Sequence, residues 1–577
     1  MNIASLLQNT AAQHGGRDAL FAFRKYTGSG VTGSGLEGKA ARIAAQLQQA
    51  GLKQGDAVLV FYPMSVELYA VLVAIFQLGL VAMFLDPSAG KEHIERCCEI
   101  HPPQALIASP KAHLLRLVSS ALRRVRHKFV IGFPLPGAKL LQWKLPEWAE
   151  LSLFLGQWIG WKIRPEISIR LAPKNEAQAI RWAARKNAKQ QAKQKAKFGL
   201  VPGEKAPIVA VEDTHPALLT FTSGSTGQPK AALRTHGFLL AQHRVLQQNL
   251  GLTPGDIDLT TLPIFVLANL ASGVFSVIPG PDLRFPGIID PVPVVRRIQA
   301  MKPISTAASP AFLERVADYC LQQGIHLLSF QKIFTGGAPV FPRLLDKLQR
   351  IAPHAKIVAV YGSTEAEPIA EITRDEITDA DWQAMREGRG LLAGKPVPEI
   401  QLRIVRDQWG TPISTMAQAE FDQMDLSINE PGEIVVSGAH VLPGYLHGIG
   451  DEETKFRVDG QVWHRTGDAG YLDAMGRLWL LGRCSAKITD GRGTLYPFAV
   501  ECAAMNFPTV RRAALATRNG QRILVLELES REQSVLTQIR EVLTWAALDA
   551  VQVVKRIPVD KRHNAKVDYP ALQKMLG

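Results

Sequence analysis

The longest hydrophobic stretch of the chain runs from Ala57 to Asp86. It is long enough to cross a membrane, but Pro63, Ser65 and Glu67 interrupt it. The stretch divides into an apolar run "AVLVFY", a segment "SVELYAVLVAIFQLG" that ends at Gly79, and a second run "VAMFLD". This pattern predicts a strand, a helix and a parallel strand, all buried in an α/β core.

Other apolar runs end in Gly, Ser or Thr: "PALLTFTSG", "KIFTGGAPV" and "HAKIVAVYGSTEAE". Because α/β sheets bind ligands at the carboxyl ends of their strands, we predict ligand contacts after Phe221 and after Val360. From about residue 390 the short runs "QLRIV", "GEIVVSG" and "WLLGR" predict a small antiparallel barrel or sheet. After Gly482 and Arg483, strands such as "RILVLELE" are mixed with helices and predict a separate α+β unit.

The chain of 577 residues is too long for a single core and predicts roughly three or four folding units. The predicted fold class is α/β, with a large N-terminal domain of doubly wound sheets, a small β-barrel subdomain and a small mobile α+β C-terminal domain. We place the two domains at residues 1–482 and 483–577, with a basic, Trp-rich insert at about 138–205. The five cysteines show neither metal-ligand nor disulfide spacing, and no signal peptide is recognisable, which favours the cytoplasm.

The net charge of +14 is concentrated in this insert. Between Lys162 and Lys205 there are twelve Lys or Arg and three Glu, so this segment alone carries +9. Cations at every fourth position would form one stripe on a helix, and tryptophans precede it. These residues are Arg181, Arg185, Lys189, Lys193 and Lys197, and Trp143, Trp148, Trp158 and Trp161. The segment is interpreted as a peripheral contact with an anionic membrane or an acidic protein, or as a solvated helix over an aromatic patch; no motif indicates nucleic acid.

A run of hydroxyl residues and glycines follows the apolar residues "ALLTF". It comprises Thr222, Ser223, Gly224, Ser225, Thr226, Gly227, Gln228, Pro229 and Lys230. Small residues let backbone N–H groups approach phosphate oxygens and hydroxyls add donors, so the run predicts an anion site, with a simple turn as the alternative. It is not a Walker loop, because no hydroxyl residue follows Lys230. Nearby His236 is interpreted as a general base or as a structural hydrogen-bond partner.

Two further motifs follow along the chain. One is the turn "YGSTE" from Tyr361 to Glu365, and the other is "RTGD", which ends at Asp468. Together with the run from Thr222 to Lys230 they resemble the signatures of the adenylate-forming superfamily, which includes acyl-CoA synthetases, peptide-synthetase adenylation domains and luciferases. The resemblance extends over nearly the whole chain.

The resemblance implies roles for the residues that match these motifs. Tyr361 and Gly362 would lie against adenine, and an aromatic ring offers a stacking face for that purpose. Thr364 would contact the α-phosphate and Glu365 would bind Mg²⁺, for which a hard carboxylate oxygen is suited. Lys230 would neutralise phosphate charge.

Ribose and the acyl group would be contacted by further matching residues. Asp468 would accept hydrogen bonds from the ribose hydroxyls, and Arg483 would add a cation near ribose and phosphate. The segment "TGGAPV" would lie beside adenine and the acyl pocket; its matching residues are Gly336, Gly337 and Ala338.

The C-terminal residues both match the superfamily and depart from it. Lys566, in "RHNAK", matches a lysine on a mobile loop that bridges the substrate carboxylate and the α-phosphate as negative charge builds. Ser485 stands where most members have an acidic hinge residue. Thr489 and Arg492 stand where acyl-CoA synthetases have a lysine and a glycine beside the thiol channel. These stretches are similar to the β-lactone synthetases of the olefin pathway.

The implied reaction is the attack of a carboxylate on MgATP to give acyl-AMP and pyrophosphate, with Lys230, Thr364, Glu365 and Lys566 as catalytic residues. The acid is expected to be long and apolar, a fatty or β-hydroxy acid. The second step is left open between transfer to coenzyme A, β-lactone formation and loading of a carrier protein. A non-catalytic acyl- or adenylate-binding scaffold is the alternative from another class.

Overall fold

The computed structural model describes residues 1–23, 28–85, 90–141, 207–223, 229–529, 533–559 and 566–577. The predicted insert at about 138–205, with its basic stripe and its tryptophans, lies outside the described residues from residue 142 onward. Its predicted membrane or protein contact therefore stays a prediction.

The described strands are numbered in chain order. They are β1 Asp18–Phe23, β2 Gly28–Thr32, β3 Ala57–Phe61, β4 Val81–Phe84, β5 Ala105–Ala108, β6 His127–Val130, β7 Lys139–Leu140, β8 Pro216–Ser223, β9 Pro229–Thr235, β10 Ile257–Thr260, β11 Phe275–Ile278, β12 Ser305–Ala308, β13 Lys332–Gly336, β14 Lys356–Tyr361, β15 Ala370–Thr373, β16 Leu391–Pro396, β17 Gln401–Val405, β18 Gly432–Ser437, β19 Lys455–Val458, β20 Gln461–Leu472, β21 Leu478–Arg483, β22 Ile488–Asp490, β23 Gly493–Leu495, β24 Val510–Arg518, β25 Gln521–Leu528 and β26 Ala550–Val554. The α-helices are Ile3–His14, Gly33–Gln49, Val66–Gln77, Lys91–Ile100, Leu115–Val118, Ser120–Arg124, His236–Leu250, Pro263–Ser272, Pro291–Met301, Pro310–Gln323, Pro342–Ile351, Asp379–Arg386, Gln418–Asp422, Asp451–Thr454, Pro497–Met505, Gln533–Val542 and Tyr569–Leu576.

The chain divides into two compact units. The first comprises Met1–Gly237, Thr253–Asp258 and Val266–Gly280. It contains a seven-stranded sheet in the order β7-β6-β5-β3-β4-β8-β9. Neighbouring strands are parallel except for the β8–β9 hairpin. In the same unit β1 pairs in parallel with β11 and antiparallel with β2.

The strand, helix and strand predicted from the hydrophobic stretch are confirmed. β3 and β4 are parallel neighbours, and the helix Val66–Gln77 that connects them is almost entirely buried. Ser65 caps this helix by accepting a hydrogen bond from Leu68 N at 3.3 Å. Gly79 ends it with a φ of +63°, which favours glycine. No helix among the described residues is both long and apolar enough to span a membrane.

The second unit comprises Phe238–Leu252, Leu259–Phe265 and Pro281–Gly577. β12, β13 and β14 are parallel neighbours, and β15 and β16 continue from β14 in antiparallel pairing. The short strands predicted after residue 390 are antiparallel, in the order β17-β18-β20-β21-β16, with β19 beside β20. The mixed α/β class is thereby confirmed.

The C-terminal residues of this unit form an α+β arrangement, as predicted. β24 and β25 are antiparallel, and β26 is parallel to β25. One hydrophobic cluster contains Val500 and Ile539 from two helices with Leu524 from β25, and a second contains Leu572 from the last helix with Val525. Helices therefore cover both faces of this small sheet. The five cysteines are free thiols and are buried.

Candidate active site

The Ser, Thr and Gly run connects two strands of the first unit. Thr222 on β8 pairs with Lys230 on β9, and Ser223 pairs with Pro229. Lys230 is buried, with 7 % of its surface exposed. The connecting residues of the predicted site, Gly224, Ser225, Thr226 and Gly227, lie outside the described residues. The hairpin thus fixes both ends of the predicted phosphate loop.

His236 follows β9 and is fully buried. Its Nδ1 accepts a hydrogen bond from Ile3 N at 3.1 Å, and its ring stacks on His215 with centroids 5.9 Å apart. Burial, followed by the positive charge of His215, lowers the pKa of His236 to about 4. A neutral, enclosed imidazole of this kind supports the structural interpretation.

In the second unit, β14 and β20 bring together two residues predicted to bind the nucleoside. The Tyr361 hydroxyl donates to Asp468 Oδ2 at 2.8 Å, although the two residues are 107 positions apart. Arg483, which lies opposite Asp468 in the β20–β21 register, places its Nε 3.3 Å from Asp468 Oδ1. Burial and the Asp468 charge raise the pKa of Tyr361 well above its usual value, so the phenol stays protonated.

The Asp468 carboxylate is oriented by these two contacts but is not saturated by them. A carboxylate has about four lone-pair sites, so ribose hydroxyls have acceptor positions left. The neighbouring Asp468 charge also raises the pKa of Arg483, and the guanidinium donates to Thr466 O at 2.9 Å. A carboxylate and a cation that are both fixed by hydrogen bonds fit the predicted contacts with ribose and phosphate.

The "RTGD" segment of β20 is shaped by hydrogen bonds and by one glycine. Thr466 Oγ1 donates to Ile434 O at 2.9 Å and accepts from Asp468 N at 3.1 Å. Gly467 has a φ of +69°, and a Cβ there would lie 2.9 Å from the Trp409 ring. Arg465, in the same strand, forms a buried ion pair, Arg465 Nη2 to Glu433 Oε2 at 2.6 Å.

The "YGSTE" turn is compact because Ser363 bonds to its own loop. Ser363 Oγ accepts from Glu365 N and from Ala366 N, each at 3.2 Å. A Cβ on Gly362 would lie 3.0 Å from Ala366 O, so this position leaves little room for a side chain. Thr364 is exposed at the tip of the turn, as a phosphate contact requires.

The "TGGAPV" segment begins at the end of β13. A Cβ on Gly336 would lie 2.6 Å from Val360 O on β14, so this glycine is required by strand packing. Gly337 is exposed with a φ of +81°, and a Cβ there would meet no neighbouring atom. Ala338 follows and is partly buried. Gly337 therefore leaves space for a ligand beside this segment.

Glu365 has close neighbours that the sequence did not predict. The Tyr445 hydroxyl donates to Glu365 Oε1 at 2.6 Å, and Leu442 N donates to Glu365 O, also at 2.6 Å. Lys455 Nζ donates to Leu442 O at 2.6 Å and lies 5.7 Å from the Tyr445 ring centroid. His464 is the cross-strand partner of Lys455. We call Tyr445, Lys455 and His464 the Glu365 shell.

The shell keeps Glu365 ionised despite partial burial. Burial alone would raise its pKa, but the hydrogen bond from the Tyr445 hydroxyl and the Lys455 charge act in the opposite direction, and the net pKa is lowered. Burial lowers the pKa of Lys455 to about 8 and that of His464 to about 3. At neutral pH the shell therefore supplies one ammonium and one neutral imidazole.

The donor set around Glu365 fits Mg²⁺. Oε1 already accepts from Tyr445, which fixes the carboxylate and leaves Oε2 as a hard oxygen ligand. Among the described residues no cluster of three or more acidic, His or Cys side chains could hold a metal. Magnesium is commonly bound in this way, by one or two carboxylates together with substrate phosphates and water.

Lys566 lies just before the last helix. The segment is closed by an isolated antiparallel bridge between Val559 and Val567. Three residues beyond Lys566, the Tyr569 hydroxyl donates to Glu501 Oε1 at 2.6 Å. The bridge between Val559 and Val567 and the hydrogen bond of Tyr569 thus fix the backbone on both sides of the loop in which Lys566 is predicted to act.

The residues that depart from the superfamily pattern lie in a turn and a hairpin after β21, and two of them contact other side chains there. Ser485 lies in a short 3₁₀ turn, Cys484–Ala486, directly after β21. Arg492 lies in the β22–β23 hairpin, where Nη2 contacts Asp490 Oδ2 at 3.0 Å and Asp549 Oδ2 at 2.9 Å. Thr489 Oγ1 lies 3.3 Å from the Thr494 hydroxyl across the same hairpin.

Comparison with known proteins agrees with these motifs. The chain is 29 % identical over 551 residues to an olefin beta-lactone synthetase of Stenotrophomonas maltophilia (strain K279a), covering 92 % of this chain and 88 % of that protein. It is 30 % identical over 300 residues to a 2-succinylbenzoate–CoA ligase of Enterococcus faecalis (strain ATCC 700802 / V583), covering 52 % and 56 %.

Solved structures share the fold. The amide bond synthetase McbA from Marinactinospora thermotolerans superposes with a TM-score of 0.73 at 18 % identity, covering 100 % of this chain and 99 % of that one. The anthranilate CoA ligase AuaEII in complex with anthranoyl-AMP gives 0.74 at 17 % identity, covering 100 % and 97 %. A match to the family described as AMP-binding enzyme spans residues 7–446, which is most of the chain. The chain therefore belongs to the AMP-binding enzyme family.

Proposed function

We propose that this adenylate-forming enzyme activates a long-chain fatty or β-hydroxy acid with MgATP and then closes a β-lactone, with transfer to coenzyme A as the alternative second step. The observation that supports adenylation best is the pair of anchored carboxylates in the second unit. Asp468 is oriented by Tyr361 and Arg483, and Glu365 is held ionised by its shell. Olefin beta-lactone synthetases and CoA ligases among the relatives favour the two second steps.

In the proposed first step a carboxylate oxygen of the acid attacks the α-phosphorus, and the bond to pyrophosphate breaks. Bound Mg²⁺ would neutralise phosphate charge, and Glu365 is the residue that would hold it. Lys230 and Thr364 would contact phosphate oxygens, and Lys566 would stabilise charge as it builds on the transferring group. The protein takes little part in the covalent chemistry of this step, so the rate depends mainly on how well it positions the reacting groups.

In the proposed second step the β-hydroxyl oxygen of the acyl group attacks the acyl carbon, AMP leaves and the hydroxyl proton is lost. The Arg492 contacts support a step without a thiol. Its guanidinium is engaged by Asp490 and Asp549, and an Arg at this position adds bulk where coenzyme A ligases have glycine. The same hairpin in an ordinary ligase would need to admit a thiol.

The remaining proposals concern the domain boundary, the length of the acid, and the location and contacts of the enzyme. We place a functional division near residue 482, where β21 ends and the 3₁₀ turn begins. The apolar segment "LPIFVLANLASGVF" fits a long acid, although its helix Pro263–Ser272 also contributes buried core residues. A peripheral membrane or acidic-protein contact through residues 138–205 is supported by the charge of that segment, and a cytoplasmic location by the spacing of the five cysteines.

Two other functions make different predictions. A non-catalytic scaffold would bind adenylate but would not release pyrophosphate, and the ionised, anchored Glu365 argues against it. An enzyme that loads a carrier protein would make acyl-AMP but require a protein acceptor.

The test is incubation with ATP, Mg²⁺ and mixed fatty and β-hydroxy acids, with and without coenzyme A, followed by product identification by mass. We expect pyrophosphate and AMP, and from a β-hydroxy acid a neutral product lighter by one water. Acyl-CoA as the main product from a plain fatty acid would favour an ordinary ligase, and no pyrophosphate would leave only the scaffold.

A further inference from the structure

A short helical segment of the first unit turns its apolar face outward. It comprises a 3₁₀ turn, Ala112–Leu114, and the helix Leu115–Val118. Leu114, Leu117 and Val118 are 57 %, 75 % and 55 % exposed. Their spacing of three and four residues places them on one side of a helix. No other three large apolar side chains in the described part of the chain are exposed within five residues of one another.

The outward face belongs to a well-anchored piece of structure. On the inner side, His113 is buried and its Nε2 lies 2.9 Å from Phe129 O on β6. Leu122, in the next helix Ser120–Arg124, is also buried. Helices normally bury their apolar stripe, so an anchored segment that exposes one indicates an interaction surface.

Cations flank this apolar face in the sequence. Residues 100–141 contain seven Lys or Arg and no Asp or Glu. Lys111, one turn before Leu114, and Arg123, Arg124 and Arg126 are exposed. We call the three apolar residues and these four cations the 111–126 surface.

The Glu95 carboxylate, on the neighbouring helix Lys91–Ile100, is already engaged in hydrogen bonds. Glu95 accepts hydrogen bonds from Ser119 Oγ at 2.7 Å, from Ser120 Oγ at 3.0 Å and from Ala121 N at 3.1 Å. It caps the second short helix. Burial, and then the charges of Arg126 and Lys139, lower the pKa of the neighbouring His127 against the opposing charge of Asp56.

We propose that the 111–126 surface docks the enzyme on an anionic lipid bilayer, with the three aliphatic side chains entering the interface and the cations facing lipid headgroups. Exposed aliphatic side chains flanked in sequence by exposed Lys and Arg combine the two contributions that peripheral membrane binding uses. A second copy of this chain is a poor occupant, because each copy carries +14. An acidic protein would match the cations but would not require three aliphatic side chains at the centre.

The test is sedimentation of the full chain with sucrose-loaded vesicles of phosphatidylcholine alone or with 30 mol % phosphatidylglycerol, chosen to supply roughly the charge of an anionic leaflet. The apolar variant is Leu114→Ser/Leu117→Ser/Val118→Ser, and its matched control is Ile288→Ser/Leu328→Ser/Ile428→Ser, which changes three equally exposed aliphatic residues elsewhere. The charge variant is Arg123→Gln/Arg124→Gln/Arg126→Gln.

We expect the wild type to bind anionic vesicles at low salt and to be released by high salt. The apolar variant and the charge variant should each weaken this binding by about tenfold or more, while the control triple stays within about twofold of wild type. Equal melting temperatures and equal acid-dependent pyrophosphate release without vesicles would show that folding and the proposed adenylation are intact.

Three results would overturn the proposal. The first is absence of binding to anionic vesicles at low salt. The second is binding that both surface variants retain and that is lost only when Arg181, Arg185, Lys189, Lys193 and Lys197 become Gln, which would assign membrane binding to the insert. The third is retention on an immobilised polyglutamate that depends on the charge variant alone, without vesicle binding, which would indicate an acidic protein partner.

Discussion

Glu501 offers a quantitative test of the structure next to the segment that contains Lys566. It lies in the helix Pro497–Met505 with 2 % of its surface exposed, and its Oε1 accepts from Leu515 N at 2.9 Å and from the Tyr569 hydroxyl at 2.6 Å. Burial raises the pKa of Glu501 to about 7, against an ordinary value of 4.5. The two hydrogen bonds pull in the opposite direction and are outweighed.

The sign and size of the pH effect follow from linkage. Between pH 4.5 and about 7 the folded state holds a proton that the unfolded state has released, so stability falls as the pH rises through this window. At about 1.4 kcal/mol per pH unit, the difference amounts to about 3 kcal/mol above pH 7. Glu501→Gln keeps an Oε1 acceptor for both bonds and removes the charge.

We expect Glu501→Gln to differ little from wild type at pH 5 and to be more stable by up to about 3 kcal/mol at pH 8. Apparent melting temperatures of the two proteins from pH 5 to 8 measure this, and amide exchange of the peptide that covers Pro497–Met505 localises it. Glu529→Gln, at an exposed position, is the control and should leave the pH profile unchanged. Parallel profiles for wild type and Glu501→Gln would refute the buried, proton-holding carboxyl.

Three further outcomes concern catalysis. Lys566→Ala should lower acid-dependent AMP formation by about 100-fold or more with little change in ATP binding, and wild-type rates would remove Lys566 from the mechanism. Tyr445→Phe should raise the Mg²⁺ concentration for half-maximal rate by about tenfold or more, because a hydrogen bond to a charged group is worth roughly 1.5–3 kcal/mol. Tyr471→Phe, which removes the hydrogen bond that the Tyr471 hydroxyl donates to Arg389 O, is the matched control, and an equal effect in both would disprove a specific role. Coenzyme A should add no rate to the wild type, and a thioester would contradict the interpretation of Arg492.

Local patterns predicted the elements that carry the site. The strand, helix and strand from Ala57 onward could be predicted because each element has its own hydrophobic period and its own end signal, Ser65 and Gly79. The ends of β8 and β14 could be predicted because apolar runs stop at Ser, Thr and Gly. These features depend only on residues close together in the sequence.

The Glu365 shell could not be predicted in this way. Tyr445 is 80 positions from Glu365, and Lys455 meets His464 only through the pairing of β19 with β20. A lysine and a histidine near strand residues carry no signal of their own until that register is known. The Arg492 contact with Asp549 is similar, since it spans 57 positions and requires the three-stranded sheet to be formed.

The most direct test of adenylation follows the oxygen atoms. A β-hydroxy acid labelled with ¹⁸O at both carboxyl oxygens is incubated with the enzyme, ATP and Mg²⁺. AMP is then recovered and its mass is determined by mass spectrometry. If the carboxylate attacks the α-phosphorus and the acyl carbon is then attacked, one labelled oxygen stays on phosphorus, so we expect AMP heavier by one ¹⁸O together with unlabelled pyrophosphate. Unlabelled AMP, or ADP and phosphate in its place, would contradict the formation of an acyl-adenylate.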